Sequence, residues 1–194
     1  MIKSILLAAG KASRMGQPKQ LLEAHGMYLF EWPLRAISAI DPSPIVVTGA
    51  YHTEMEQALS QYPSIQICRN PDWALGLSSS LIAGLKYAQK TSELSAIQVI
   101  LADQPFVTTK HLQHLIDIHQ AHPDQLIAYK NGSRMSPPAI IPQSFFSAVL
   151  EINGDRGAGS LFKKHPESVN LIDAPELLQD IDTPEDFETF LKAQ

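Results

Sequence analysis

The sequence predicts a doubly wound α/β fold, in which a mostly parallel, mixed sheet lies between two layers of helices. Two observations support this prediction. Short apolar or β-branched runs alternate along the chain with segments of helical periodicity, which favours parallel strands joined by helical crossovers. The runs at 2–9 and 96–102 are dominated by successive apolar residues, as is typical of strands that are buried on both faces.

The individual elements follow from the same periodicities. Strands are expected at 2–9, 45–49, 65–68, 96–102, 126–129 and 169–172, and helices at 53–61, 81–90, 109–121, 144–150, 158–164 and 184–192. A further helix either spans 27–40 with a kink at Pro33 or begins near Glu31. Residues 73–80 are expected to form a loop. The segment 138–142 is extended, and its two prolines place it at a sheet edge, because proline cannot donate to a strand ladder.

Length and composition indicate one domain over residues 1–194. Hydrophobic residues make up 44% of the chain and charged residues 18%, which is an ordinary balance for a globular protein. The net charge of -5 argues against a broad basic surface, so nucleic acid is not an expected partner.

The cysteine count and the apolar patterning bear on the compartment. The single cysteine, Cys68, excludes an internal disulfide and disfavours a thiolate metal site. Its place in the alternating run 64–68 predicts a small core residue. We expect no signal peptide, since the first apolar run is short, and no membrane span, since no apolar stretch approaches about 20 residues. The cytoplasm is therefore the expected compartment.

The loop after the first strand is the most informative stretch, because it carries Gly10, Arg14, Gly16 and Lys19. Glycines allow backbone amides to approach a ligand closely, and the two cations favour a negative ligand such as phosphate. The spacing matches neither the P-loop nor the Gly-x-Gly-x-x-Gly pattern, so neither of these sites is supported. The alternative is a solvated connection with incidental charges.

Two aspartates are candidate metal ligands. Asp103 follows a buried strand, where a carboxylate is costly unless a positive group offsets it; beside a phosphate loop, Mg²⁺ is the natural partner. The alternative is that Asp103 caps the next helix or turn. Asp182 precedes a helix start that resembles a capping box, with Thr183 as N-cap, Pro184 first and Asp186 third. Because that cap does not use Asp182, its carboxylate is available as a second ligand.

Histidines and a tryptophan offer weaker signals. On the predicted helix 109–121, only His111 and His114 lie within one turn, and no carboxylate pattern completes a metal site. A solvated helix face is therefore favoured for His111, His114, His119 and His122. Trp73 is a candidate for stacking on a base, with packing as the favoured alternative.

The phosphate-binding loop also carries a family resemblance. Segment 6–22 has the pattern Leu-Leu-Ala-Ala-Gly-x-x-x-Arg-Met-Gly-x-x-Lys-x-Leu-Leu, which resembles the signature loop of nucleotidyltransferases with the Rossmann-like, three-layer glycosyltransferase-A-like fold. The molybdenum cofactor cytidylyltransferase-like (MocA/MobA-like) branch is the most similar. Further matches occur in that branch's order at 46–49, 70–71, 76–81, 101–105, 154–158 and 180–186. They cover essentially the whole chain.

The resemblance implies a nucleotide site in the first half of the chain, at about 1–105. The backbone of Ala8, Ala9 and Gly10 would line the nucleotide, and Arg14 and Lys19 would contact its triphosphate.

Residues further along the chain would complete that site. Asn70 and the loop from Gly76 to Ser80 would help to hold the base and ribose. Asp103 would bind Mg²⁺, with Asp182 as its second ligand.

The activity implied by the resemblance is a Mg²⁺-dependent nucleotidyl transfer. An oxygen of a phosphorylated acceptor attacks the α-phosphorus of CTP, or of GTP, and pyrophosphate leaves. The acceptor expected for this branch is molybdopterin, bound mainly by residues 106–194, and a molybdoenzyme or its chaperone is a further candidate partner. Such chemistry asks the protein to align the reactants and neutralise charge, without a side-chain nucleophile.

Two departures from the family pattern concern the acceptor. Gly159 stands where the family pattern Gly-Asp-x-Gly-Ala-Arg has arginine, and Ser136-Pro137-Pro138 replaces Gly-x-Pro. Arg134 and Arg156 are candidate substitutes for the missing arginine. Two alternatives therefore stay open: a sugar- or polyol-phosphate nucleotidyltransferase, and a non-catalytic protein that binds the nucleotide or cofactor.

Overall fold

A seven-stranded mixed sheet forms the centre of the protein. The structure is a computed structural model that describes residues 1–11, 18–91, 93–155, 157–174 and 179–192. Its strands are β1 (Ile2–Ala8), β2 (Glu23–Ala24), β3 (Met27–Tyr28), β4 (Ile45–Thr48), β5 (Gln66–Arg69), β6 (Ala96–Leu101), β7 (Leu126–Asn131), β8 (Arg134–Pro142) and β9 (Val169–Asp173). The sheet order is β5-β4-β1-β6-β8-β7-β9, and β2 and β3 form a separate hairpin. Only β8 runs antiparallel to its sheet neighbours, so the predicted mostly parallel sheet is confirmed.

Helices cover both faces of this sheet. They are α1 (Glu31–Ser38), α2 (His52–Leu59), α3 (Leu77–Thr91), α4 (Thr109–Ala121), α5 (Phe146–Leu150), α6 (Ala158–Lys164) and α7 (Pro184–Lys192). Alternate residues of β1 contact different layers: Ile5 and Leu7 pack in a core with α3, α5 and α6, whereas Leu6 and Ala8 pack with α1, α2 and α4. The strand is therefore buried on both faces, and the three layers are those expected from its apolar run. No helix in the described ranges is long and apolar enough to cross a membrane.

The prediction that the proline-rich segment lies at a sheet edge is wrong. Strand β8 contains that segment and lies between β6 and β7. Its pairing with β7 shifts register, so that Ala139 faces Ala128 but Ser136 faces Tyr129. The shift leaves Pro138, and Pro137 before it, without a partner residue in β7, so their missing N–H groups cost no ladder hydrogen bond. Pro142, the other proline of the segment, is the last residue of the strand. A bulge thus admits two prolines to the interior of the sheet.

The reversed direction of β8 has a consequence for the ligand site. Because β8 is antiparallel to β6, its first residues lie beside the carboxyl end of β6. Residues 134–137 are thereby brought to the edge where an open α/β sheet binds ligands.

Helix α3 begins earlier than the sequence predicts. Ser78 and Ser80 were expected in a loop, but they lie in the first turn of α3, where both are buried. Gly76, with φ of 100°, ends the short 3-10 turn Trp73–Leu75 and allows the new helix to start at once. The Ser79 hydroxyl donates to the carbonyl oxygen of Gly76, so its hydrogen-bonding group is satisfied within the first turn of the helix. For α1, the start at Glu31 is the one confirmed.

The histidines of α4 do not share one environment. His114 and His122 are exposed, as expected of a solvated face. His111 completes a capping box with Thr108 at the start of the helix. The prediction is wrong for His119, which is buried, and burial lowers the pKa of its imidazole.

Two smaller predictions concern packing. Cys68 is buried at the end of β5, as its alternating run indicates, and burial raises the pKa of its thiol. Trp73 is half-buried and packs against the α3 side of the core, which is the packing role that the sequence favours for it.

Candidate active site

An open cleft with a volume of about 530 Å³ lies at the carboxyl ends of β1 and β6. Parallel strands of a doubly wound sheet present ligands at this edge, so its position agrees with the expected site. The first half of the chain contributes Leu7, Ala9, Gly10, Lys19, Gln20, Leu77, Leu101, Ala102 and Asp103 to its lining, and the second half contributes Arg134, Met135, Ser136, Pro137, Asp155, Gly159, Asp180 and Asp182.

Three of the predicted residues meet at one point of this cleft. The Lys19 Nζ atom is 2.5 Å from Asp103 Oδ2 and 2.8 Å from Asp182 Oδ1. Lys19 begins the 3-10 turn Lys19–Leu21, Asp103 follows β6, and Asp182 precedes α7. The structure thus joins the phosphate loop to both candidate metal ligands.

Backbone hydrogen bonds fix the two aspartates relative to each other. The Ile181 N–H donates to the carbonyl oxygen of Asp103 at 3.0 Å, which ties the segment before α7 to the end of β6. The Asp186 carboxylate accepts from the N–H groups of Asp182 and Thr183, and the Thr183 hydroxyl accepts from the Asp186 N–H. The predicted capping box is therefore confirmed, and it leaves the Asp182 carboxylate for the cleft.

The alternative in which Asp103 caps the following helix is wrong. Thr108 is the N-cap of α4, and Asp103 contacts Lys19 instead.

The electrostatics of the cluster indicate an excess of negative charge. Burial raises the pKa of Asp103, and neighbouring Asp180 and Asp182 raise it further, while Lys19 opposes them. Burial lowers the pKa of Lys19, but the two carboxylates outweigh that effect and the pKa is raised. One ammonium group does not balance the carboxylates that surround it.

The donor set fits a hard divalent cation. Asp103 Oδ1 is buried and has no hydrogen-bond partner among the described residues. In that part of the chain, no cluster of three or more His, Cys, Asp or Glu side chains could hold a metal ion. Mg²⁺ is held by one or two carboxylates together with substrate phosphates, so two aspartates are sufficient protein ligands.

Gln20 lines the cleft beside Lys19, and no pattern in the sequence points to it. Its side chain is buried, and Nε2 donates to the carbonyl oxygens of Ala8 at 3.2 Å and Gly10 at 2.7 Å. The end of β1 is thus held by the residue next to Lys19. Ala9 and Gly10 line the cleft, whereas Ala8 is buried and is not among its lining residues. Contact of these residues with a nucleotide stays a prediction, and Arg14 lies outside the described residues.

A second polar network lies on the side of the cleft that β8 and Asp180 form. Buried Gln104 donates through Nε2 to Pro137 O at 2.9 Å and to Asp180 Oδ1 at 3.0 Å. The other oxygen of Asp180 accepts from the Arg134 guanidinium, and this bond raises the pKa of Arg134. Just over half of the Arg134 side chain is exposed, against 8% for Asp180, so the guanidinium presents its outer face to the cleft. Buried glutamine and aspartate at such spacing match no sequence pattern.

Asn70 and Ser80, which were expected to help to hold the base and ribose, form hydrogen bonds within their own segment of the chain. The buried Asn70 amide donates to the hydroxyls of Ser79 at 2.9 Å and Ser80 at 3.1 Å, and its oxygen accepts from the Asp72 N–H. These bonds hold residues 70–80 in shape. Their contact with base or ribose stays a prediction.

Gly76 connects this loop to the second half of the chain. A Cβ atom placed on Gly76 would lie 2.3 Å from Asp155 Oδ1 and 2.7 Å from the backbone of Gly154. The Ser78 N–H also donates to Gly154 O at 3.1 Å. The two loops therefore interlock at one wall of the cleft.

Gly159, which stands where the family pattern has arginine, lines the cleft. It is in the first turn of α6, and a Cβ placed on it would be 3.4 Å from Met135 O. Arg156, a candidate substitute for the missing arginine, lies outside the described residues.

Comparison with known proteins identifies the family. The MobA-like NTP transferase domain matches residues 4–169. The chain belongs to this family. The predicted resemblance and the glycosyltransferase-A-like fold are thereby confirmed, and the protein is a nucleotidyltransferase.

Three relatives that match nearly the whole chain are named for different functions. Purine catabolism protein PucB of Bacillus subtilis is 28% identical over 97% of this chain and 95% of its own length. Nicotine blue oxidoreductase of Paenarthrobacter nicotinovorans is 28% identical over 95% of this chain and 93% of its own. Molybdenum cofactor cytidylyltransferase of Escherichia coli is 26% identical over 97% and 94%.

Solved structures share the whole fold. A nucleotidyl transferase from Methanothermobacter thermautotroptrophicus has a TM-score of 0.83 at 25% identity, covering 100% of this chain and 97% of that one. Rv0371c from Mycobacterium tuberculosis, solved as a complex with manganese, has a TM-score of 0.78 at 21% identity, covering 100% and 99%.

Proposed function

We propose that this protein transfers a nucleoside monophosphate, CMP in the first instance and GMP as the alternative, from its triphosphate to a phosphorylated acceptor, for which molybdopterin is the leading candidate. The observation that carries the proposal is the meeting of Lys19, Asp103 and Asp182 in a cleft at the carboxyl ends of the strands. A cation and two carboxylates beside a glycine-containing loop suit a triphosphate and its Mg²⁺.

The residues of the cleft would divide the work. Asp103 and Asp182 would hold Mg²⁺, which neutralises charge on the phosphates as the reaction proceeds. Gly10 and Lys19 would orient the triphosphate, and the acceptor oxygen would attack the α-phosphorus from the Arg134 side. The bond to the β-phosphate oxygen breaks, and pyrophosphate leaves. Positioning and electrostatic stabilisation supply the rate enhancement.

The choice of acceptor rests on relatives. The molybdenum cofactor cytidylyltransferase of E. coli supports CTP and molybdopterin. A second candidate, a polyol phosphate, is supported by 2-C-methyl-D-erythritol 4-phosphate cytidylyltransferase of Thermotoga neapolitana, which is 31% identical over 68% of this chain. Gly159 lines the cleft without a side chain, so no arginine is present there to select the acceptor.

Thermal shift and pyrophosphate release together test the proposal. With Mg²⁺ present, we expect CTP or GTP to raise the melting temperature above that given by the matching monophosphate, because a ligand that binds the native state stabilises it. Pyrophosphate release is then measured with molybdopterin and, in parallel, with methylerythritol phosphate. If no nucleoside triphosphate stabilises the protein, the proposal fails. Binding without pyrophosphate release would instead support a non-catalytic protein.

Arg134 is expected to hold the acceptor's phosphate. Replacing it in Arg134→Gln should raise the KM for the acceptor about tenfold or more with a smaller change in kcat, since a charge-assisted hydrogen bond to phosphate contributes about 1.5–3 kcal/mol. The KM for the nucleotide should change little. Steady-state kinetics with each substrate varied in turn measures both values.

A matched control comes from the neighbouring strand pair. Lys130 Nζ is 3.3 Å from Asp173 Oδ2, an aspartate–cation pair outside the cleft. Lys130→Gln should leave both KM values unchanged. Equal kinetics for Arg134→Gln and Lys130→Gln would remove the acceptor role of Arg134.

A further inference from the structure

Lys19 has a place in the cluster that a triphosphate contact alone does not explain. We propose that Lys19 is a positioning residue, whose ammonium group stands in the place of the divalent cation between Asp103 and Asp182 and moves to the nucleotide phosphates when the cation binds. This inference rests on the proposed function, since it assigns a second state to a residue of the same site.

The distances support a stand-in role. The ammonium nitrogen is 2.5 Å from an oxygen of Asp103 and 2.8 Å from an oxygen of Asp182, so it lies between the two carboxylates that are the expected metal ligands. A lysine ammonium is a compact point charge, closer to a metal ion in shape than a planar guanidinium is. A cation at this point offsets the repulsion between two like charges.

Because Lys19 and Asp103 are largely buried, the carboxylates need a nearby cation when no metal ion is bound. The side chains of Lys19 and Asp103 are 14% and 17% exposed, so water screens this pair poorly. Without metal, a cation from the protein offsets the repulsion between the carboxylates of Asp103 and Asp182. Asp182 is 47% exposed, and a hydrated ion can reach the cluster from its side.

The local backbone allows the ammonium to leave without unfolding the loop. Gln20 binds the carbonyl oxygens of Ala8 and Gly10, and the 3-10 turn is closed by the bonds Leu21 N–H to Pro18 O and Leu22 N–H to Lys19 O. The backbone of Lys19 is therefore fixed, and its four-carbon side chain provides the movement. Ammonium and a divalent cation repel each other and would share the same two carboxylates, so binding of the cation should displace the ammonium.

The exchange is tested by Mn²⁺ binding rather than by activity. Mn²⁺ affinity is measured by calorimetry or by electron paramagnetic resonance for the wild type, Lys19→Met and Arg134→Met, all without nucleotide. We expect Lys19→Met to bind Mn²⁺ about tenfold or more tightly, because the competing cation is gone. Arg134→Met removes the same charge from the same cleft but leaves the Lys19 ammonium between Asp103 and Asp182, so its affinity should change less than about threefold.

Adding a nucleotide should remove the gain in Mn²⁺ affinity that Lys19→Met shows without it. In the wild type, CTP gives the displaced ammonium a new partner, so Mn²⁺ and CTP should bind cooperatively, each strengthening the other. In Lys19→Met, CTP should bind more weakly and the cooperativity should fall about tenfold or more.

Several results would overturn the inference: unchanged Mn²⁺ affinity in Lys19→Met, equal gains in Lys19→Met and Arg134→Met, or undiminished cooperativity. If Lys19→Met does not fold, as judged by circular dichroism, Lys19→Gln takes its place with the same expected results. Failure of the proposed function would appear differently, as wild-type protein that binds Mn²⁺ with the expected competition but releases no pyrophosphate from CTP or GTP with any acceptor.

Discussion

Asp103→Asn is expected to reduce nucleotidyl transfer by about three orders of magnitude or more, equivalent to about 4 kcal/mol of transition-state stabilisation. Asp103 is the most buried of the expected metal ligands, and its backbone is tied to the segment that carries Asp182. Asparagine keeps the shape and one oxygen but loses the negative charge that a divalent cation requires. Pyrophosphate release under saturating nucleotide measures the loss.

The substitution should leave the fold intact. Burial raises the pKa of Asp103, so the ionised carboxylate is already disfavoured in the folded protein, and a neutral isostere removes part of that penalty. Asp173→Asn is the control, since it removes a paired carboxylate outside the cleft and should retain full activity. A fully active Asp103→Asn would remove the metal-ligand assignment. An inactive variant with a much lower melting temperature would show damage to the fold instead.

Gly76→Ala is expected to lower the free energy of unfolding by about 3 kcal/mol. Two effects combine at this residue. Its φ of 100° is unfavourable for any residue with a Cβ atom, and the new methyl group would overlap Asp155 Oδ1 and the backbone of Gly154. Backbone cannot move aside as a flexible side chain can. Urea unfolding, with the midpoint and the slope both fitted, measures the change.

Gly132→Ala separates the two effects. Gly132 also has a positive φ, of 58°, but nothing lies within 4 Å of the position of its Cβ. It should therefore lose only the backbone contribution, about 1 kcal/mol. Equal losses in the two variants would mean that the loops do not interlock as the structure shows.

The fold could be predicted where a short local pattern, such as an apolar run or a helix cap, is sufficient to define the element. The apolar run of β1 and the cap at Thr183 are examples, and both are confirmed. The place of β8 could not be predicted in this way. The rule that moves proline to an edge assumes an unbroken ladder, but the pairing with β7 shifts register beside Pro137 and Pro138, and the pairing with β6, about 40 residues earlier in the chain, places β8 inside the sheet.

For the candidate site, the sequence could supply the charged residues but not their partners. Asp103 follows from a carboxylate at the end of a buried strand, and Asp182 from a residue that the helix cap does not use. That Lys19 contacts both depends on tertiary contacts: β1 lies beside β6, and the bond from the Ile181 N–H to the Asp103 carbonyl oxygen brings the segment before α7 to the same edge. The glutamines Gln20 and Gln104 escaped prediction because an amide that satisfies backbone groups carries no charge, period or spacing.

The contact between Gly76 and the Gly154–Asp155 backbone bears on how this family diversifies. Recombination between relatives at the midpoint of the chain would inherit one loop from each parent, and two loops that evolved apart would meet at a distance that allows no side chain. A new acceptor is therefore more readily acquired through point changes on β8 and α6 than through exchange of whole segments. Laboratory shuffling of this scaffold should keep residues 76–78 and 154–157 from a single parent.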